Sequence, residues 1–168
     1  MHRMSVGMLA LVAAGSLTVA TPVVASAANS VVSPGVKAVQ SQPYLMYRDQ
    51  GNNQCLDSDK AGGQVRNRQC QTDNPYMHWR QVDTDDNGYF VLQNQGQNTC
   101  LDSDKSGGRS YNRNCNLDNP YMRWRVDSSN GLTLLVNKGQ GTCLVADGNS
   151  YVYNKSCDQK NPYMSWVN

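Results

Sequence analysis

An all-β fold built from three equivalent units is what this 168-residue sequence predicts. Three observations carry that expectation: a motif written three times, a fixed spacing of cysteines around each copy, and a composition that favours turns over helices. The motif reads NPYMHW at 74–79, NPYMRW at 119–124 and NPYMSW at 161–166. Upstream of each copy stands a cysteine pair, Cys55 with Cys70, Cys100 with Cys115 and Cys143 with Cys157. The second member of each pair lies nine residues before Trp79, Trp124 or Trp166, and the leading cysteines are 45 and then 43 residues apart. A period of this length marks units that bury their apolar faces only against one another. All 13 acidic residues are aspartate, and 14 glycines accompany many Asn and Ser, a poor supply of helix formers.

Taken in order, residues 1–27 carry His2 and Arg3, the apolar run VGMLALVAAGSLTVA and then ASA, the pattern of a secretory signal peptide. Residues 28–43 contain Ser, Pro, Gly and Gln without amphipathic period and read as a flexible N-terminal arm. The repeats fill 44–168, at about 44–88, 89–131 and 132–168. In the second, YFVLQ, TCLD, RSYNRNC and YMRW read as strands, with NQGQN and DKSGG as turns between them. Four short strands in each of three units make roughly twelve in all, which predicts a β-trefoil with pseudo-threefold symmetry. A three-bladed propeller is the alternative.

Alternation along YMRW places Met77 and Trp79 on one face and Tyr76 and His78 on the other. The fifth letter of the motif varies as His78, Arg123 and Ser165, so that face is expected in water and the Met–Trp face in the core. Tyr76, Tyr121 and Tyr163 then stand on the wet side, either as binding residues or as packing over a neighbouring turn. The near-equal spacing of the cysteines predicts one disulfide within each repeat, in an oxidising compartment. Zinc is disfavoured, because 13 or 14 residues separate the members of each pair and His78 is the single histidine beyond the leader.

Other chemistries find little support. The net charge is +2, too small to steer the chain toward nucleic acid. No stretch beyond the leader is apolar enough to insert in a membrane. The aspartate pairs Asp57 with Asp59 and Asp102 with Asp104 sit on one short polar turn each, without an apolar pocket to separate their pKa values as a glycosidase needs. As a calcium loop, DSDKAGG has Ala61 and Arg68 where ligands belong. No enzyme activity and no cofactor are expected.

The repeat N-x-G-x-x-x-C-L-D-S, followed by a second cysteine and a tryptophan, resembles the ricin B-type β-trefoil lectins, especially short secreted bacterial modules, over residues 44–168. That resemblance implies shallow sugar pockets, up to three, each with an aspartate just after the first cysteine. The aspartate falls on Asp57 and Asp102. Arg66 and Tyr111, on the strand before the second cysteine, and the aromatic faces of Tyr76 and Tyr121 complete the candidate pockets for glycans of cell surface or matrix. Three positions depart from the family pattern. Its Gln-x-Trp glutamine is Met77, Met122 and Met164, Arg68, Arg113 and Lys155 precede the second cysteine by two, and Val145 replaces the aspartate in repeat three. The implied function is a secreted lectin acting through repeats one and two. The alternative is an adaptor in a secreted multi-subunit complex such as a toxin, with Lys37 of the arm entering a protein partner by strand addition.

Overall fold

The computed structural model describes residues 42–59, 63–104 and 108–168. The leader, most of the arm and Lys37 lie outside those residues. Thirteen strands form, with no α-helix among the described residues. The first repeat holds β1 (Leu45–Met46), β2 (Arg48–Asp49), β3 (Gln54–Asp57), β4 (Arg66–Gln69) and β5 (His78–Val82). The second holds β6 (Phe90–Asn94), β7 (Cys100–Asp102), β8 (Tyr111–Arg113) and β9 (Arg123–Asp127). The third holds β10 (Leu134–Asn137), β11 (Cys143–Ala146), β12 (Val152–Lys155) and β13 (Trp166–Val167). Thirteen replace the expected twelve because the first strand of repeat one breaks at Tyr47, where it changes partners from β5 to β3 and β13.

Every strand pairing is antiparallel, and the ring closes on itself. Trp79 faces Asn94 across β5–β6, Trp124 faces Asn137 across β9–β10, and Trp166 faces Asp49 across β13–β2. The three tryptophans are buried in one central cluster with Leu56, Leu92, Leu101, Leu135, Leu144, Val65 and Val152. Each indole Nε1–H finds a carbonyl of its own repeat, Leu56 at 2.9 Å, Leu101 at 3.1 Å and Leu144 at 3.0 Å. A buried indole without that acceptor would be costly, so the bond fixes each ring's orientation. Disulfides join Cys55 to Cys70, Cys100 to Cys115 and Cys143 to Cys157, as the spacing predicts. The turn before each leading cysteine passes through the left-handed region at Asn53, Asn98 and Gly141, residue types that tolerate it.

The motif itself corrects the strand expected at YMRW. Pro75–Met77, Pro120–Met122 and Pro162–Met164 are single 3₁₀ turns, and extended backbone begins only at His78, Arg123 or, in the third repeat, Ser165. An asparagine caps each turn by accepting the tyrosine N–H, and proline takes the first position, where its missing donor costs nothing. Methionine and tryptophan are both buried, but not side by side as alternation implied. Met122 packs with Val91 and Cys100, and Met164 with Leu134, Cys143 and Val145, in satellite clusters away from the tryptophans. Each sulfur also accepts a backbone N–H at 3.3 Å, from Gln71, Asn116 or Asp158. Each methionine therefore supplies a weak acceptor as well as apolar packing.

The fifth letter is not uniformly wet. His78 and Arg123 are half-buried, and Ser165 is fully buried, its Oγ accepting the Thr133 N–H at 3.0 Å. Serine is tolerated there because that bond satisfies it. The tyrosines are exposed at 37–39 %. Each lies over a glycine of the adjoining repeat: Tyr76 on Gly96, Tyr121 on Gly139 and Tyr163 on Gly51. Each ring therefore packs over a neighbouring turn, and the three contacts join the repeats in a closed ring.

Candidate functional site

In β3–β4 the register places Cys55 opposite Arg68 and Asp57 opposite Arg66. Leu56 points to the core, so Asp57 and its partners occupy the outer side of the hairpin. The β7–β8 hairpin repeats this with Cys100 opposite Arg113 and Asp102 opposite Tyr111.

Asp57 and Asp102 are 2 % and 1 % exposed. Their oxygens are already engaged. In Asp57, Oδ1 accepts the Asp59 N–H at 3.0 Å and Oδ2 accepts Arg68 Nη1 at 3.0 Å. In Asp102 the partners are the Asp104 N–H at 3.0 Å and Arg113 Nη1 at 2.9 Å. Each arginine also reaches the second aspartate of its turn, Asp59 at 3.3 Å or Asp104 at 3.4 Å. Asp59 and Asp104 both sit in the left-handed region, with φ of 46° and 36°, a conformation aspartate tolerates better than most. The result is an Asp–Arg–Asp triad on each hairpin, its first aspartate buried and its other two members open to water.

Burial raises the Asp102 carboxyl above its ordinary pKa, against the lowering effect of Arg113. Burial also disfavours the charges of Arg68 and Arg113, but their aspartates outweigh it and hold both guanidiniums above their usual value. The arginines are thus fixed cations, presenting unused N–H donors beside exposed carboxylate acceptors. Such an arrangement can bind a pair of neighbouring hydroxyls, one accepting from guanidinium and one donating to carboxylate.

The other predicted residues are dispersed. Arg66 and Tyr111 face the aspartates across their hairpins, yet Arg66 stacks on Tyr151 of repeat three and Tyr111 carries the Arg113 guanidinium. Backbone from Tyr76 and Tyr121 reaches the same turns, since their carbonyls accept Ser58 and Ser103 N–H groups, while their rings lie on Gly96 and Gly139. Residue patterns missed Asp59 and Asp104 as the open arms of the triads, although their shared DSD spacing was a usable sign. Tyr151 was missed too. In repeat three Val145 is buried among Leu134, Cys143 and Met164, and Lys155 lies near Tyr153 without an ion pair. A separate cleft of about 430 Å³, lined by Asp85, Leu117, Asp118, Pro120, Arg123 and Lys138, includes none of the predicted residues.

The model of the ricin-type β-trefoil lectin domain matches residues 44–166. The chain belongs to the ricin-type β-trefoil lectin family. Solved structures share its fold at low identity. A designed threefold-symmetric protein, ThreeFoil, is 20 % identical, with a TM-score of 0.66, over 73 % of this chain and 95 % of that one. The Haemophilus ducreyi cytolethal distending toxin is 18 % identical, with a TM-score of 0.61, over 74 % and 81 %. The C-terminal domain of an earthworm lectin, a mutant in complex with 6'-sialyllactose, is 14 % identical, with a TM-score of 0.58, over 74 % and 96 %. No curated protein sequence matches the chain.

Proposed function

We infer that this lectin domain is a secreted, non-catalytic module that binds glycans through repeats one and two. One observation carries the inference: the triad Asp57–Arg68–Asp59 recurs as Asp102–Arg113–Asp104 around the aspartates that the family resemblance implies for sugar binding, whereas repeat three has Val145 and Lys155 in the matching places. Asp57 and Asp102 act as positioning residues, each anchoring an arginine. Sugar hydroxyls meet the exposed guanidinium and the Asp59 or Asp104 carboxylate. Three disulfides suit an oxidising, extracellular setting, and no helix among the described residues is long and apolar enough to cross a membrane.

A glycan array identifies the best neutral ligand, and titration of variants tests the site. Asp59→Asn combined with Asp104→Asn removes two exposed carboxylates and leaves the buried pairs intact. A hydrogen bond to a charged group contributes roughly 1.5–3 kcal/mol, so affinity should fall about tenfold or more. Unchanged affinity would reject the site. Asp57→Ala is the poorer probe, because it leaves Arg68 without its buried partner and lowers stability as well.

A further inference from the structure

The three hairpin ends meet in a triangle about the pseudo-threefold axis. Gln64 pairs with Tyr111, Arg109 with Tyr153 and Tyr151 with Arg66 as backbone bridge partners. Every pairing joins the residue six before a second cysteine to the residue four before the next one, so the six positions form one ring. Two are arginine and three are tyrosine. The Arg66 and Arg109 guanidinium carbons stand 4.4 and 4.3 Å from the centroid of the same Tyr151 ring. Both guanidiniums are therefore held at a single aromatic ring.

On the neighbouring hairpin faces Arg68 and Arg113 each meet two carboxylates. Arg66 and Arg109 have no ion pair among the described residues, and all 13 aspartates of the chain are among those residues. Asp147, in the turn that leads to Tyr151, accepts the Asn149 and Tyr151 N–H groups through Oδ1. Arg109 Nη1 donates to Gln64 Oε1 at 2.9 Å, and Arg66 Nε is buried with no acceptor. Lys155, 5.9 Å from the Tyr153 ring centroid, adds a third cation without an ion pair.

We propose that this triangular end is a second binding site, which takes the anionic group of an acidic saccharide at Arg66 or Arg109. A carboxylate or sulfate accepts from guanidinium N–H groups and supplies the negative charge that these two arginines lack. Tyr153 offers aromatic surface for the sugar ring beside it. The choice of a saccharide over other polyanions rests on the glycan-binding reading of the domain. The site shares no residue with the two triads.

Titration with a heparin-derived hexasaccharide, its desulfated N-acetylated form and a neutral chito-oligosaccharide tests the proposal at low ionic strength. The parent should bind the sulfated sugar. Binding of the desulfated form as well would assign carboxylate as sufficient, and its loss would assign sulfate. Arg66→Gln with Arg109→Gln should weaken acidic-sugar binding at least tenfold. Arg109→Gln alone, at an exposed position, should weaken it in a chain whose unfolding temperature matches the parent's. Asp59→Asn with Asp104→Asn should leave it intact. The proposal is overturned if the parent binds neither acidic sugar, if the arginine variants bind as tightly as the parent, or if a single-stranded oligonucleotide binds equally well. Neutral-glycan binding without acidic-sugar binding would reject this site and keep the triads, and the converse would reject the triads alone.

Discussion

Asp49 shows how one residue departs from the threefold pattern. Its equivalents are Asn94 and Asn137, whose Nδ2 groups donate to Tyr76 and Tyr121 carbonyls at 2.8 and 2.7 Å. The aspartate offers no such donor unless protonated, and Asp49 Oδ2 is buried without a partner. The equivalent carbonyls belong to Tyr163 and Ser165, on the segment that pairs with β2 to close the ring. Burial pushes the Asp49 carboxyl up to about 6, opposed by the N–H groups of Asn52 and Gly51. A carboxyl raised in the folded state binds its proton more tightly there than in the unfolded chain. Its contribution to stability is therefore complete below about pH 4 and is lost as pH rises through about 6. Asp49→Asn supplies a permanent donor. Chemical denaturation should find variant and parent similar at pH 4 and the variant more stable by about 3 kcal/mol at pH 8. A gap that does not change with pH would show that Asp49 stays ionised when folded.

At the scale of elements, the NPYM turns do two jobs that strand alternation concealed. Asparagine followed by proline is a turn signal, and here it outweighs the strand preference of Tyr-Met-x-Trp. The turn lets methionine and tryptophan enter different clusters and leaves tyrosine over the next repeat's glycine. A Cβ on Gly96 would stand 2.5 Å from Tyr76 Cδ1, so Gly96→Ala must displace the ring. The expected cost is about 1–3 kcal/mol, as for other overpacked contacts. In a Tyr76→Ala background the same glycine change should be nearly neutral, because the clash has been removed. Equal costs in both backgrounds would place the effect in the turn's backbone instead. The disulfides, the tryptophan core and the hairpin strands were legible because repetition reports on local spacing. The inter-repeat contacts were not, because tyrosine and glycine of adjacent units meet only after the ring closes.

For the whole molecule, sequence showed three related units, and structure shows how far their outer surfaces have diverged. Asp57 and Asp102 stood out in the sequence as candidate site residues, but their capture by Arg68 and Arg113 depends on a cross-strand diagonal that linear spacing does not display. The triangular end depends on six residues from three hairpins and was equally hidden. Repeats one and two carry a charged triad, and repeat three has a buried valine and a lysine with no ion pair among the described residues. On the proposed reading, the two triads make two equivalent glycan sites. Native mass spectrometry with the best neutral glycan measures that number directly. Two glycans per chain are predicted, one after Asp104→Asn and none after Asp59→Asn is added. Three bound glycans in the parent, or two in the double variant, would contradict the account.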